Sequence, residues 1–138
     1  MYNKTVRFLL YSLLDKMVLL HRRDNLTTHQ ANKWDHFGGA IEAVDQDVPK
    51  EAVIREINEE LGVQIDQSGL NLISKEENFY YIIFPKHIRE LRLGEGAGIS
   101  WFSFEEIENL EGLGLVAENA MKYINKLKIE LSKSGTSI

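Results

Sequence analysis

The segment PKEAVIREINEELGV, residues 49 to 63, contains the clearest helix in this sequence of 138 residues. Pro49 stands at its start, where a missing amide hydrogen costs little, and Gly62 stands just past its end, where a left-handed residue commonly closes a helix. The apolar residues that share one sector of about 100° on a helical wheel are Val53, Ile54, Ile57 and Leu61. The segment is therefore predicted to be a helix from Pro49 to Leu61 with one buried face.

Three glutamates of this helix crowd beside the buried face rather than opposite it. Glu56 and Glu60 flank the apolar sector, and Glu59 lies one step further round. Like charges four residues apart cost roughly 0.2–0.5 kcal/mol even on an exposed helix, and partial burial raises that cost. Two interpretations are open on the helix alone. The acids form a solvated face in which Arg55 pairs with Glu59, or they hold a hard cation such as Mg²⁺, which prefers carboxylate oxygens and keeps several waters.

The rest of the chain mixes strands and helices without a steady alternation. Strands are predicted at 5–14 and 16–23, as a hairpin turning at Asp15 and Lys16, at 70–84 as one or two strands, and at 99–104. Helices are predicted at 104–110 and 115–131, and residues 132–138 are expected to form a flexible tail. This pattern predicts a single domain, residues 1–138, in which helices pack against a mixed sheet.

Composition narrows the class of partner. The formal net charge is −5 and the isoelectric point about 5.4, so the chain lacks the overall basic character that DNA and RNA binding usually requires. The absence of cysteine excludes disulfides and thiolate sites. No apolar stretch approaches the roughly 18–20 residues of a membrane span. A soluble cytoplasmic protein, without a nucleic-acid or membrane partner, is expected.

The three glutamates belong to a longer sequence motif that begins at the double glycine before the helix. Gly38 and Gly39 precede the helix, and REINEELGV, residues 55 to 63, matches the second half of the pattern G-x5-E-x7-R-E-U-x-E-E-x-G-U at every fixed position, with the bulky aliphatic U at Ile57 and Val63. The segment resembles the Nudix box of the MutT/Nudix hydrolases, and the resemblance extends over roughly residues 4 to 130. It implies an α/β/α sandwich with a mixed β-sheet, in which the box forms a loop, a helix and a second loop.

The first half of the box departs from the family pattern. Counting six positions from Gly39 puts the family's first glutamate at Asp45, whereas counting eight back from Arg55 puts it at Asp47. The loop therefore carries two extra residues and a shorter acid, and Phe37 replaces a frequent proline. We expect Asp47 to brace Arg55, because spacing along a helix is more rigid than spacing along a loop. Asp47 also suits the N-terminus of the helix as a cap.

The resemblance implies a hydrolase that uses Mg²⁺ or Mn²⁺ and cleaves a nucleoside diphosphate linked to another group. A monomer or a homodimer is expected. The predicted metal ligands are Gly39, through its carbonyl, Glu56, Glu59, Glu60 and Glu95. The predicted catalytic residues are Glu56, Glu59, Glu60, Arg55 and Asp47, with one acid acting as general base. Glu95 comes from outside the box, and an ordinary turn acid would look the same.

Three residues are predicted to bind substrate, each with a structural alternative. Arg23 ends a strand and is suited to a phosphate or to solvent, Trp34 to a base pocket or to packing, and Asn119 to reading a base or to capping a helix. HQANK, residues 29 to 33, and the spacing of Glu95 and Gly96 resemble MutT-type enzymes, which convert nucleoside triphosphates to monophosphate and pyrophosphate. Asn119 lies near the position where such enzymes hold an amide that reads the base. The alternatives are a hydrolase of nucleotide sugars or dinucleotides, and an inactive nucleotide-binding module.

Overall fold

Residues 4–23, 32–91 and 98–134 are described by the computed structural model, and they form a mixed sheet between two helical layers. The strands are β1 (Thr5–Ser12), β2 (Met17–Arg22), β3 (Trp34–Asp35), β4 (Phe37–Ala40), β5 (Leu70–Ser74), β6 (Phe79–Phe84) and β7 (Ile99–Ser103). The helices are α1 (Pro49–Leu61), α2 (Phe104–Gly112) and α3 (Glu118–Lys133), with short 3-10 turns at Ala43–Asp45, Gln67–Gly69 and Ile88–Glu90. Within these residues no helix combines the length and the apolar character needed to cross a membrane.

Strand β1 lies at the centre of the sheet and makes it mixed. It runs antiparallel to β2 and β4 and parallel to β6, whose other neighbour is β5. Its first half pairs with β4 and its second half with β2. Because β3 pairs with the end of β2, the segment from residue 34 to residue 40 crosses from β2 to β1. Strand β7 pairs with β2 as well.

Alternation along β1 divides the core into two layers. Val6, Phe8 and Leu10 point to the side covered by α1, whereas Leu9 and Tyr11 point to the side covered by α2 and α3. The residues of α1 that face the first layer are Ala52, Val53, Ile57 and Leu61, with Ile54 packed against them. The predicted buried face of α1 and the α/β/α sandwich are both confirmed.

The helix boundaries show which signals are local. Helix α1 has the predicted bounds, and Gly62 follows it with a φ of 68°. Helix α3 begins at Glu118, three residues later than predicted, because the backbone of Trp34 bonds Leu115 and Ala117 and holds that stretch extended. Its other end reaches Lys133, two residues into the predicted tail, and residues 135–138 lie outside the described part of the chain.

Asp15 ties the turn between β1 and β2 to the chain after β6. Its Oδ2 accepts a hydrogen bond from the amide of Ile88 at 2.7 Å, and its Oδ1 lies 3.4 Å from Nδ1 of His87. The hydrogen bond from the backbone amide of Ile88, with smaller contributions from His87 and Ser12, lowers the pKa of Asp15. The carboxylate is therefore bound more tightly in the folded chain than the protonated acid would be.

Asp15→Asn is expected to lower the free energy of unfolding at neutral pH, and its difference from the parent protein should shrink in acid. A carboxyl group whose pKa is lower in the folded state contributes stability above its unfolded pKa and loses it as the pH falls through the folded pKa. Urea unfolding of both proteins from neutral to strongly acidic pH measures this difference. A difference that stays constant down to strongly acidic pH would contradict the prediction.

Candidate active site

The predicted acids meet the double glycine where α1 packs on β4. The carboxylate of Glu56 lies directly against Gly39, where any Cβ atom would overlap it. Gly38 faces the other way, and a Cβ there would come within 2.7 Å of the carbonyl oxygen of Val6. Each glycine therefore permits a close approach on its own side of the strand, and Gly39 is what lets the helix carboxylate reach the backbone.

Arg55 is braced by an acid in the loop before the helix. Its Nε and Nη2 donate hydrogen bonds to the two carboxylate oxygens of Asp45 at 3.0 and 2.9 Å, and Nη2 also donates to the carbonyl of Ala40 at 2.9 Å. Asp45 is buried and accepts a further bond from the amide of Glu42 at 2.8 Å. The hydrogen bonds from Arg55 outweigh the effect of burial and lower the pKa of Asp45. This two-bond pairing fixes the plane of the guanidinium.

The remaining nitrogen of Arg55, Nη1, is shared by three carboxylates. It lies 3.1 Å from an oxygen of Glu56, 3.1 Å from an oxygen of Glu59 and 3.5 Å from an oxygen of Glu42. The pair of Arg55 with Glu59 is the contact that the solvated-face interpretation predicted. That interpretation does not extend to Glu56, because only 12% of its side chain is exposed.

Glu60 has no hydrogen-bond or ion-pair partner in the part of the chain that the structure describes. Glu60 is exposed, yet partial desolvation of its carboxyl group, together with the charges of Glu56 and Glu59, raises its pKa. Burial also raises the pKa of Glu56, although Arg55 opposes this effect. Two neighbouring carboxylates are thus short of positive charge, which is the condition that a bound cation relieves.

This donor set suits a hard divalent cation in its chemistry, since all of its side-chain donors are carboxylate oxygens. As they are placed, no three acids or imidazoles among residues 4–23, 32–91 and 98–134 converge closely enough to hold an ion. The reason is visible in the hydrogen bonds, because Arg55 draws Glu56 and Glu59 to itself. The chemistry of these donors therefore suits the cation, whereas their present geometry does not bring them together around one. Glu95, the predicted ligand from outside the box, lies outside the described residues.

A polar cavity of about 220 Å³ opens among β1, β3 and the start of α3. Its lining residues are Arg7, Arg23, Asp35, His36, Ala117, Glu118 and Asn119. Arg7 alternates along β1 with Val6 and Phe8, which face α1, so the cavity lies on the opposite side of the sheet from Glu56. The chain thus has an acidic site and a polar cavity on the two faces of one sheet.

Comparison with known proteins identifies the family. The model of the NUDIX domain matches residues 1–124, which is most of the chain. The chain belongs to the Nudix family. The predicted resemblance is confirmed, and so is the assignment to a family of hydrolases that act on phosphoric anhydride bonds. No functionally curated protein is significantly similar to the chain.

Solved Nudix structures share the fold at low sequence identity. A mutT/nudix family protein from Listeria innocua has 18% identity and a TM-score of 0.70, covering 96% of this chain and 95% of that one. A bifunctional NMN adenylyltransferase/ADP ribose pyrophosphatase from Francisella tularensis, complexed with AMP and a manganese ion, has 18% identity and a TM-score of 0.66, covering 94% and 42%. The NUDIX domain of Shewanella oneidensis NrtR, complexed with ADP ribose, has 17% identity and a TM-score of 0.62, covering 92% and 86%.

The departure in the first half of the Nudix box is located by the structure. The prediction that Asp47 braces Arg55 is wrong, because Asp45 makes that pair. The two extra residues follow Asp45 rather than precede it, and Gln46 and Asp47 turn the chain with φ angles of 53° and 61°. Asp47 is exposed and does not cap α1, whose N-cap is Val48 without a side-chain hydrogen bond. Asp45 thereby keeps the family's spacing from Gly39.

Two of the three predicted substrate residues line the cavity of this Nudix domain. They are Arg23 and Asn119, and Asn119 lies inside the first turn of α3 rather than at its N-cap, which is Ala117. Trp34 is not a lining residue. Its ring packs edge-on against Phe102 with centroids 4.7 Å apart, as the packing alternative for Trp34 expected.

Sequence reasoning missed Asp35, which lines the cavity beside His36. Asp35 is buried and accepts hydrogen bonds from Nη1 of Arg23 at 3.0 Å and from the amide of His36 at 2.8 Å. His36 donates from Nδ1 to the carbonyl of Phe37 at 2.9 Å, and burial lowers its pKa. Glu42 was missed as well. A charged residue beside Trp34 in a short strand, and an acid three residues before Asp45, were the available signals.

Proposed function

We propose that this Nudix domain is a divalent-metal-dependent pyrophosphohydrolase that converts nucleoside triphosphates to monophosphate and pyrophosphate. The observation that carries the proposal is the pairing of a carboxylate site short of positive charge, at Glu56 and Glu60, with a polar cavity on the other face of the same sheet. A nucleotide has a group for each site, because its phosphates would react at the carboxylates while its base would bind in the cavity. The metal dependence, the substrate and the residue roles are parts of this proposal.

The carboxylate site supports hydrolysis of an anhydride between phosphates. Glu56, Glu59 and Glu60 would hold Mg²⁺ or Mn²⁺ through their carboxylate oxygens, and the bound ion would neutralise phosphate charge and lower the pKa of a water molecule. Water attacks a phosphorus atom, the bridging P–O bond breaks, and one of the glutamates takes the proton. Arg55 and Asp45 position Glu56 and Glu59 before the reaction. Without a cation the same acids repel a polyphosphate, so activity should require the metal.

The cavity supports recognition of an uncharged polar group such as a nucleobase. Its two arginines, Arg7 and Arg23, are offset by Asp35 and Glu118, so its wall is close to neutral. Asn119 adds an amide that both donates and accepts hydrogen bonds, as the edge of a base requires. Arg23 is oriented by its bond to buried Asp35. The near-neutral wall of the cavity is therefore less suited to a phosphate group than to a base.

A nucleotide panel tests the proposal. Release of nucleoside monophosphate is measured with Mg²⁺, Mn²⁺ or EDTA from nucleoside triphosphates, ADP-ribose, nucleotide sugars and dinucleotides, and release of pyrophosphate is measured from the triphosphates. We expect metal-dependent turnover that is fastest with a triphosphate. ADP-ribose is included because the Francisella and Shewanella proteins are described with that ligand or activity. Turnover of ADP-ribose alone would overturn the substrate, and nucleotide binding without any turnover would establish an inactive binding module.

Asn119→Ala is expected to raise KM for the preferred nucleotide about tenfold, the effect of one lost hydrogen bond, with little change in kcat. The reason is that Asn119 lines the cavity and not the carboxylate site. Asn125→Ala, at an exposed position of the same helix, is the matched control and should leave both constants unchanged. Steady-state kinetics on the three proteins measures the effect. Equal values of KM in all three would remove Asn119 from the substrate site.

A further inference from the structure

We propose that Glu42 is a positioning residue that takes over the Nη1 of Arg55 when a divalent cation takes Glu56 and Glu59. This hand-over of Arg55 rests on the proposed function, since it requires that the carboxylates bind a cation. Glu42 lies outside the residues that the Nudix-box pattern names, between Gly39 and Asp45.

The number of hydrogens on Nη1 is the first argument. A terminal guanidinium nitrogen carries two hydrogens, and three carboxylates surround this one. Glu56 and Glu59 occupy the two hydrogen-bonding positions at 3.1 Å, and Glu42 stands at 3.5 Å. Glu42 is thus adjacent to Nη1 and is the next carboxylate available to accept a hydrogen bond from it.

The rest of Arg55 does not move easily, which is the second argument. Its Nε and Nη2 are bonded to Asp45 and Ala40, and only 16% of its side chain is exposed. The plane of the guanidinium is therefore set, and Nη1 cannot follow Glu56 and Glu59 when they turn away. A largely buried charged group that loses its acceptors carries a desolvation penalty, and this penalty would oppose cation binding.

Glu42 is placed to remove that penalty. Its backbone is held by the hydrogen bond from its amide to Asp45, while 58% of its side chain is exposed. A small movement of the carboxylate brings it to hydrogen-bonding distance of Nη1. Glu42 then supplies the acceptor that Glu56 and Glu59 give up, so cation binding no longer leaves Nη1 unpaired.

Titration calorimetry of the metal-free protein with Mg²⁺ tests the hand-over directly. The variants are Glu42→Gln, which removes the charge, and Glu42→Asp, which keeps the charge but shortens its reach. We expect both to raise the Kd for Mg²⁺ about tenfold, the equivalent of one charge-assisted hydrogen bond. Glu111→Gln, an exposed position on α2 across the sheet, is the matched control and should stay within about twofold of the parent.

Thermal melting in EDTA completes the experiment. Without the cation, Nη1 already donates hydrogen bonds to Glu56 and Glu59. Both Glu42 variants should therefore have the same melting temperature as the parent protein in EDTA. A Kd raised in Glu42→Gln but unchanged in Glu42→Asp would show that Glu42 acts through charge alone and would overturn the hand-over. Unchanged Kd values in both variants would also overturn the hand-over. The same conclusion would follow if both Glu42 variants lost stability equally in EDTA relative to the parent protein. A parent protein that binds no Mg²⁺ would overturn the cation site and the hand-over together.

Discussion

Glu60→Gln is expected to slow nucleotide hydrolysis by about a thousandfold or more, because a bound metal contributes several kcal/mol to the transition state. The metal-free variant should be as stable as the parent or slightly more stable. Glu60 has no partner among the described residues and is pressed by the charges of Glu56 and Glu59, so its removal relieves repulsion worth roughly 0.2–0.5 kcal/mol. Glutamine keeps the shape and the helix propensity of the side chain.

Thermal melts with EDTA and with Mg²⁺, beside a rate assay, measure these effects. The rise in melting temperature with Mg²⁺ should be smaller in the variant, since a ligand that binds only the folded state stabilises it in proportion to RT ln(1 + [L]/Kd). Glu51→Gln makes the same change near the other end of α1, where the carboxylate accepts a hydrogen bond from Gln67, and serves as the control. A destabilised metal-free Glu60 variant with normal turnover would mean that the glutamates serve the fold.

Asp45→Asn is expected to cost about 3 kcal/mol of folding free energy, the usual result of removing one partner of a buried ion pair. Asp45 is 4% exposed and receives two hydrogen bonds from Arg55. Asp47→Asn makes the same chemical change two residues later, at an exposed position, and should stay within about 0.5 kcal/mol of the parent. Activity should fall in the first variant and persist in the second, because Arg55 positions two of the glutamates.

Urea unfolding of the two variants in EDTA, together with their rates of hydrolysis, measures this contrast. The comparison is controlled internally, because both variants lose one carboxylate from the same loop. Equal losses of stability, or a larger loss in Asp47→Asn, would contradict the pairing of Arg55 with Asp45.

Helix α1 was predictable because its signals are local. Pro49, Gly62 and the apolar sector are all readable from consecutive residues, and the bounds agree with the structure. The start of α3 was not, because it depends on a backbone pairing between Trp34 and the chain about 80 residues later. Helical periodicity cannot report a strand contact at such a distance.

The site shows the same division. The pattern of the Nudix box indicated Glu56 and Gly39, and the structure brings them into contact. The partner of Arg55 was misassigned because Gln46 and Asp47 adopt left-handed backbone angles, which residues other than glycine rarely take. Spacing in the sequence does not reveal such a turn, so counting back along the chain led to the wrong aspartate.

The crossing of residues 34–40 from β2 to β1 places neighbouring residues on opposite faces of the sheet. His36 faces the cavity beside Phe79 and Tyr123, whereas Gly39, three positions on, faces the carboxylate of Glu56. The short segment from residue 36 to residue 39 thus links the cavity on one face of the sheet to the carboxylate of Glu56 on the other face. Under the proposed function, a substitution at residue 36 would alter the cavity that receives the base and would leave the carboxylates on the other face of the sheet in place.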